Sequence, residues 1–123
     1  LVGVSRTGKT PACIYLALQY GVYAANYPLT EDDLDAGGLP KLLDPYRSKL
    51  YGLTIRPERL EQIRNERRPN SRYASLRQCQ YEIARAEAIF TKAGIPFINT
   101  TTMSIEEIAT TILHERRLKR RVL

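Results

Sequence analysis

The residues that could do chemistry in this sequence sit together near its start: Gly3-Val4-Ser5-Arg6-Thr7-Gly8-Lys9-Thr10. The pattern is a glycine, four residues, then Gly-Lys-Thr, the spacing of a phosphate-binding P-loop. Gly3 and Gly8 let the backbone curl closely around an anion. The N–H groups of the intervening residues make a concave nest for phosphate oxygens. The first turn of the following helix adds its partial positive charge. Lys9 reaches terminal phosphates as a point charge, and the Thr10 hydroxyl is placed to ligand Mg²⁺. With glycine near 7% of average usage, a chance match in a chain of 123 residues is about 1 in 250. The whole run from Gly3 to Thr10 is therefore read as a nucleotide phosphate site, with Lys9 also catalytic.

Such a loop works only between the end of a buried strand and the start of a helix. Leu1–Ser5 supplies an apolar strand end, and the helix runs over Lys9–Gln19 until Gly21. Only two residues precede Gly3, whereas a strand has about five or six. The expectation is a strand cut short and a chain that is the C-terminal part of a longer protein. Further along, Val22–Tyr27 reads as a short strand stopped by Pro28, and Thr30–Gly38 as a loop or short helix. Leu39–Tyr46 is a short helical or irregular connection. Lys49–Ile55 is a strand, and Pro57 opens a helix to Arg67 with Leu60 and Ile63 inward and its arginines outward. Pro69-Asn70-Ser71 breaks it. Ser75 caps a long helix to Ala93, with Leu76, Cys79, Ile83, Ala86 and Phe90 as its apolar stripe and Gly94 as its stop. Ile95–Asn99 is a strand. Ser104 and Glu107 have capping-box spacing for a last helix whose inner side is Ile105, Ile108, Ala109 and Ile112. Strands alternate with helices, so the fold class is α/β and P-loop NTPase-like, a mainly parallel sheet with helices on both faces. One nucleotide-binding domain occupies residues 1–123.

The remaining charge bears on the same site. Arg64, Arg67, Arg68, Arg72 and Arg77 flank the break between two helices. They are either a flap that neutralises a transferring phosphoryl group or a solvated face paired with Glu61, Glu66 and Glu82. Arg72, in the break itself, is assigned the catalytic role. Tyr73 beside it either stacks on a base or is a partly buried loop tyrosine. The strand ends offer Thr54 and Asn99-Thr100-Thr101 in place of an acidic magnesium ligand; Asp32, Asp33 or Asp35 is the alternative to a solvated acidic loop. Cys13 and Cys79 are read as reduced packing residues, and the lone His114 as a surface residue. The net charge of +6 suits an anionic partner. The basic run Arg116–Arg121 is the one feature favouring nucleic acid, and it lacks aromatic interleaving. No apolar run approaches the roughly 20 residues that span a bilayer, so no membrane partner is expected.

Several segments together resemble a known family. Residues 3–11, Ala-Ala-Asn-Tyr-Pro-Leu (24–29), Gly-Leu-Thr-Ile-Arg-Pro-Glu-Arg-Leu (52–60), Asn-Ser-Arg-Tyr-Ala-Ser-Leu-Arg-Gln-Cys (70–79) and Ser-Ile-Glu-Glu-Ile-Ala-Thr (104–110) look like the C-terminal half of the bacterial phosphoenolpyruvate synthase and pyruvate, phosphate dikinase regulatory proteins. The 70–79 run favours the synthase-type member. The resemblance implies a bifunctional serine/threonine kinase that uses ADP to phosphorylate a threonine of phosphoenolpyruvate synthase. It also implies the reverse service, removal of that phosphate with inorganic phosphate as acceptor and release of pyrophosphate. Mg²⁺ is expected from the Thr10 hydroxyl and a cytoplasmic location from the reduced cysteines; the resemblance assigns no catalytic base, and homo-oligomerisation stays open. The competing classes are a P-loop kinase for a small metabolite and a nucleic-acid-binding module.

Pro11 has no N–H, so the cradle lacks a donor just after Thr10. Pro11→Ser restores it, and calorimetric titration should show tighter nucleotide binding. Unchanged binding would remove Pro11 from the account.

Overall fold

The computed structural model describes residues 1–116. All of the run Arg116–Arg121 beyond its first residue lies outside the described residues. The chain forms strand β1 (Val2–Gly3), helix α1 (Lys9–Tyr20), β2 (Tyr27–Pro28), α2 (Glu31–Ala36), a 3-10 segment (Lys41–Lys49), β3 (Gly52–Thr54), α3 (Pro57–Arg67), α4 (Leu76–Ala93), β4 (Phe97–Asn99) and α5 (Ile105–Arg116). The four strands make one sheet in the order β2-β1-β3-β4, and every pairing is parallel. The fold is α/β, as the alternation of elements requires.

Side chains leave a strand alternately to its two faces, and two cores result. Val2, Val4 and Leu50 join Leu60, Cys79, Ile83, Ile89 and Phe90 on one side. Tyr51 and Leu53 join Ala12, Ile108 and Ile112 on the other. The first face is therefore covered by α2, α3 and α4, and the second by α1 and α5.

Helix ends fall where local chemistry puts them. Gly21 and Gly94 close α1 and α4 in the left-handed conformation. The Ser75 hydroxyl accepts from the N–H of Gln78 at 3.2 Å. Ser104 and Glu107 exchange both capping-box bonds. The acidic stretch after Thr30 is a helix rather than a loop, because Thr30 and Asp33 form a second capping box. In α4 the expected stripe is buried from Cys79 to Phe90, with Leu76 half-buried.

Strands are shorter than the apolar runs suggest. The run 22–27 yields only Tyr27 before Pro28. Pro28 is nonetheless inside β2, since β2 is an edge strand. Tyr27 donates to Leu1, just before β1, and Leu29 to Gly3 of β1, so the missing N–H of Pro28 falls on the outward side, where no ladder needs it. One inward arginine also departs from expectation: Arg64 of α3 is fully buried, four residues and about one turn after Leu60 on the same helix face.

Gly52 in β3 is held small by its neighbours. A Cβ there would lie 2.8 Å from both the Phe90 ring and Phe97 Cβ. Phe97 Cβ is fixed to main chain and cannot retreat. Gly52→Ala should cost about 1–3 kcal/mol through overpacking, read as a lower denaturation midpoint with an unchanged slope.

Candidate functional site

The loop 4–8 carries the chain from β1 into α1. Gly3 is needed for close approach, because a Cβ would meet Leu53 O at 2.6 Å and Thr7 Oγ1 at 3.0 Å. Gly8 caps α1 at φ 99°. Arg6, a non-glycine residue, also takes a positive φ of 72°, the kind of outlier that clusters at ligand sites.

Three of the loop's carbonyls are tied by side chains. Val4 O accepts from Lys9 Nζ at 2.6 Å and from Thr7 Oγ1 at 2.9 Å. Ser5 O accepts from Arg64 Nη2 at 3.2 Å. Thr7 O accepts from Thr100 Oγ1 at 3.1 Å. In front of the loop lies an open cleft of about 420 Å³, lined by Ser5, Arg6, Gly8, Lys9, Thr10, Pro11, Asn26, Pro28 and Ile63. That volume falls in the range of small-molecule sites, about 300–1,000 Å³. One wall is polar backbone and cation; Pro11, Pro28 and Ile63 add apolar surface.

Lys9 is only 5% exposed. Burial, reinforced by the nearby Arg64 charge, pulls its ammonium pKa down to about 8. Behind the loop, Arg64 spreads its donors over three segments of the chain. Its guanidinium reaches both Glu82 oxygens at 2.9 and 3.2 Å, Tyr73 O at 3.0 Å and Ser5 O. It also lies 4.1 Å over the Tyr73 ring, whose hydroxyl hydrogen-bonds the Ser5 hydroxyl.

The residues read from the motif are brought together. Ser5, Arg6, Gly8, Lys9 and Thr10 line the cleft, while Gly3, Val4 and Thr7 are buried behind it. Thr10 Oγ1 accepts from Asn26 Nδ2 at 3.2 Å. Arg72 is placed elsewhere: its side chain is 75% exposed and pairs with Glu31 at 2.7 Å. It does not line the cleft, and Arg67, Arg68 and Arg77 are exposed as well. The expected outward face of α3 is thus correct for Arg67 and wrong for Arg64. Tyr73 supports Arg64. The Asp33 carboxylate accepts the Thr30 N–H in the α2 capping box, and Asp35 accepts from Tyr81. Among the described residues there is no group of His, Cys, Asp or Glu suited to a metal, and both cysteines are free and buried. Asn26 and Ile63 were not singled out for the site by sequence; Arg64 entered only as part of a flap or of a solvated face paired with Glu82, and Thr100 only as a strand-end residue, and the spacing of Arg64 from Leu60 is the signal that could have shown its burial.

The profile of the kinase/pyrophosphorylase family matches residues 1–113. The chain belongs to that family. Its relatives include proteins provisionally named phosphoenolpyruvate synthase regulatory protein. That of Halorhodospira halophila is 69% identical over 122 residues, covering 99% of this chain and 45% of the relative. That of Alkalilimnicola ehrlichii is 68% identical over 99% of this chain and 44% of the relative. That of Laribacter hongkongensis is 64% identical over 98% and 44%. The chain therefore spans somewhat under half the length of these relatives. No helix among the described residues is long and apolar enough to cross a membrane.

The Lys9 shift gives anion binding in this cleft a pH signature. A bound phosphate favours the ammonium and raises a pKa that stands near 8 in the free protein. Binding above pH 8 must then take up a proton, and affinity should fall as pH rises through that value. Calorimetry at pH 9 in two buffers of different ionisation enthalpy should report the uptake, and Lys9→Met should abolish it.

Proposed function

We propose that this chain is the nucleotide-binding part of a bifunctional ADP-dependent serine/threonine kinase and phosphate-dependent pyrophosphorylase acting on phosphoenolpyruvate synthase. The observation that carries the reading is the buried Lys9 ammonium at the base of a strand–loop–helix cleft, in a chain of the kinase/pyrophosphorylase family. The relatives' names supply the proposed protein substrate.

The chemistry suits the cleft. In the forward direction a threonine hydroxyl displaces AMP from the β-phosphorus of ADP; the hydroxyl proton is lost and phosphothreonine forms. In the reverse direction inorganic phosphate attacks phosphothreonine, freeing the threonine and releasing pyrophosphate. Both directions place a diphosphate, as substrate moiety or product, against one donor-rich loop. The N–H groups and Lys9 would offset charge that develops as the bridging bond breaks. Of the two side-chain hydroxyls lining the cleft, Ser5 is bonded to Tyr73, so Thr10 is the one that would serve a magnesium ion, without a clustered carboxylate among the described residues. Such an ion fits as one carried in by the phosphates and its waters, with Thr10 as its protein ligand. When bound it would supply charge neutralisation.

Arg72 has no contact with the cleft in this structure. Its proposed role in phosphoryl transfer would require its pair with Glu31 to break.

Titration of the chain with ADP and ATP should show saturable binding that favours ADP and is lost in Lys9→Ala. A polypeptide of the relatives' full length carrying this sequence should transfer label from β-labelled ADP to a synthase threonine. Equal affinity for ATP, or label passed to a free small metabolite instead, would overturn the reading.

A further inference from the structure

We propose that Arg64 and Thr100 are positioning residues of the phosphate loop, each holding a loop carbonyl back so that the N–H of the same peptide plane faces the cleft. The inference rests on reading the cleft as an anion site and says what shapes it.

A trans peptide is planar, and its C=O and N–H point in opposite directions. A group that holds the carbonyl therefore fixes the direction of the next residue's N–H. Three planes of this loop are held in that way. Val4 O is taken by Lys9 and Thr7, which sets the N–H of Ser5. Ser5 O is taken by Arg64, which sets the N–H of Arg6. Thr7 O is taken by Thr100, which sets the N–H of Gly8. Ser5, Arg6 and Gly8 are the loop residues ahead of the helix that line the cleft; Val4 and Thr7 do not. On this proposal the held carbonyls and the N–H groups of the cleft-lining residues fall on opposite sides of one loop.

Both anchors are built to stay put. Thr100 is tied to Thr54 O by its backbone N–H at 2.8 Å, and its hydroxyl, with Thr7 O at 3.1 Å and Thr54 O at 3.2 Å as acceptors, bridges the loop to the end of β3. Thr100 is only 7% exposed. The Arg64 guanidinium is fully buried and forked onto Glu82, a bidentate geometry that fixes its plane. Neither residue lines the cleft, so each acts through the backbone.

Without these anchors the loop has a cheap alternative. Arg6 and Gly8 both sit at positive φ, and rotating a plane about them turns a carbonyl toward the ligand. A carbonyl oxygen facing a phosphate repels it. The anchors thus preorganise the nest for an oxyanion of the diphosphate class, and the order is set before the ligand arrives.

The test follows the backbone amides of the ¹⁵N-labelled chain by NMR during titration with inorganic pyrophosphate. In the parent chain the Ser5, Arg6 and Gly8 amides should shift together and saturate. Thr100→Val should lose the Gly8 response while keeping those of Ser5 and Arg6, with affinity about tenfold weaker, roughly the net worth of one hydrogen bond. Thr100→Ser should restore it. Arg64→Lys should selectively lose the Arg6 response; if that variant does not fold, the two Thr100 variants carry the test. A Gly8 shift and affinity unchanged in Thr100→Val would overturn the proposal, as would an equal loss at all three amides with no rescue by serine. No response of the parent chain to pyrophosphate would overturn the anion-site reading itself, and this inference with it.

Discussion

Arg64 is withdrawn from water at the junction of α3, α4, the α3–α4 connection and the loop that follows β1. Burying a charge costs several kcal/mol unless its partners replace the lost hydration. Here a carboxylate of α4, a carbonyl of the connection and a carbonyl of the loop do so, while its Nε has no hydrogen-bond partner. The arrangement makes three segments of chain mutually dependent. Removing Glu82 would leave an uncompensated buried cation, a loss of about 3–5 kcal/mol in comparable sites. The same charge also depresses the Lys9 pKa, so the cation that stabilises the loop's underside also tunes the cation facing the cleft.

The sheet explains why the loop lies where it does. From β1 the chain moves to β2 on one side, then passes back over to β3 on the other. At such a reversal, connections leave the carboxyl ends of adjacent strands in opposite directions and open a crevice. The loop after β1 occupies that position. Thr54 and Thr100, at or just beyond the ends of β3 and β4, close its floor through backbone and hydroxyl bonds.

Elements with strong local signals were legible in the sequence. α4 has a cap, a stripe and a glycine stop, and all three act within the helix itself. The loop of α1 was legible for the same reason, since Gly3, Gly8 and Lys9 do their work within a few residues. The strands were blurred because parallel strands covered on both faces lose a polar-apolar alternation, so apolar runs overstated their length. Arg64 was misread because its charge argued for solvent, while its spacing from Leu60 argued for the core. Thr100 carries no local pattern at all; its meaning depends on a partner distant in sequence. Arg72 stood out by its place in a break, but place in a loop does not say which way a long side chain turns.

The bond from Thr100 to Thr7 spans 93 residues. During vectorial synthesis the glycine-rich loop emerges well before its last tether, which follows 93 residues later. A nascent chain can form α1 and pair β1 with β2 long before β4 exists. Over that interval the loop is a segment with the right residues and an unfinished floor. The floor of the loop is therefore complete only once β4 has formed, and a ligand that binds the finished loop would favour the completed topology over its precursors on the ribosome.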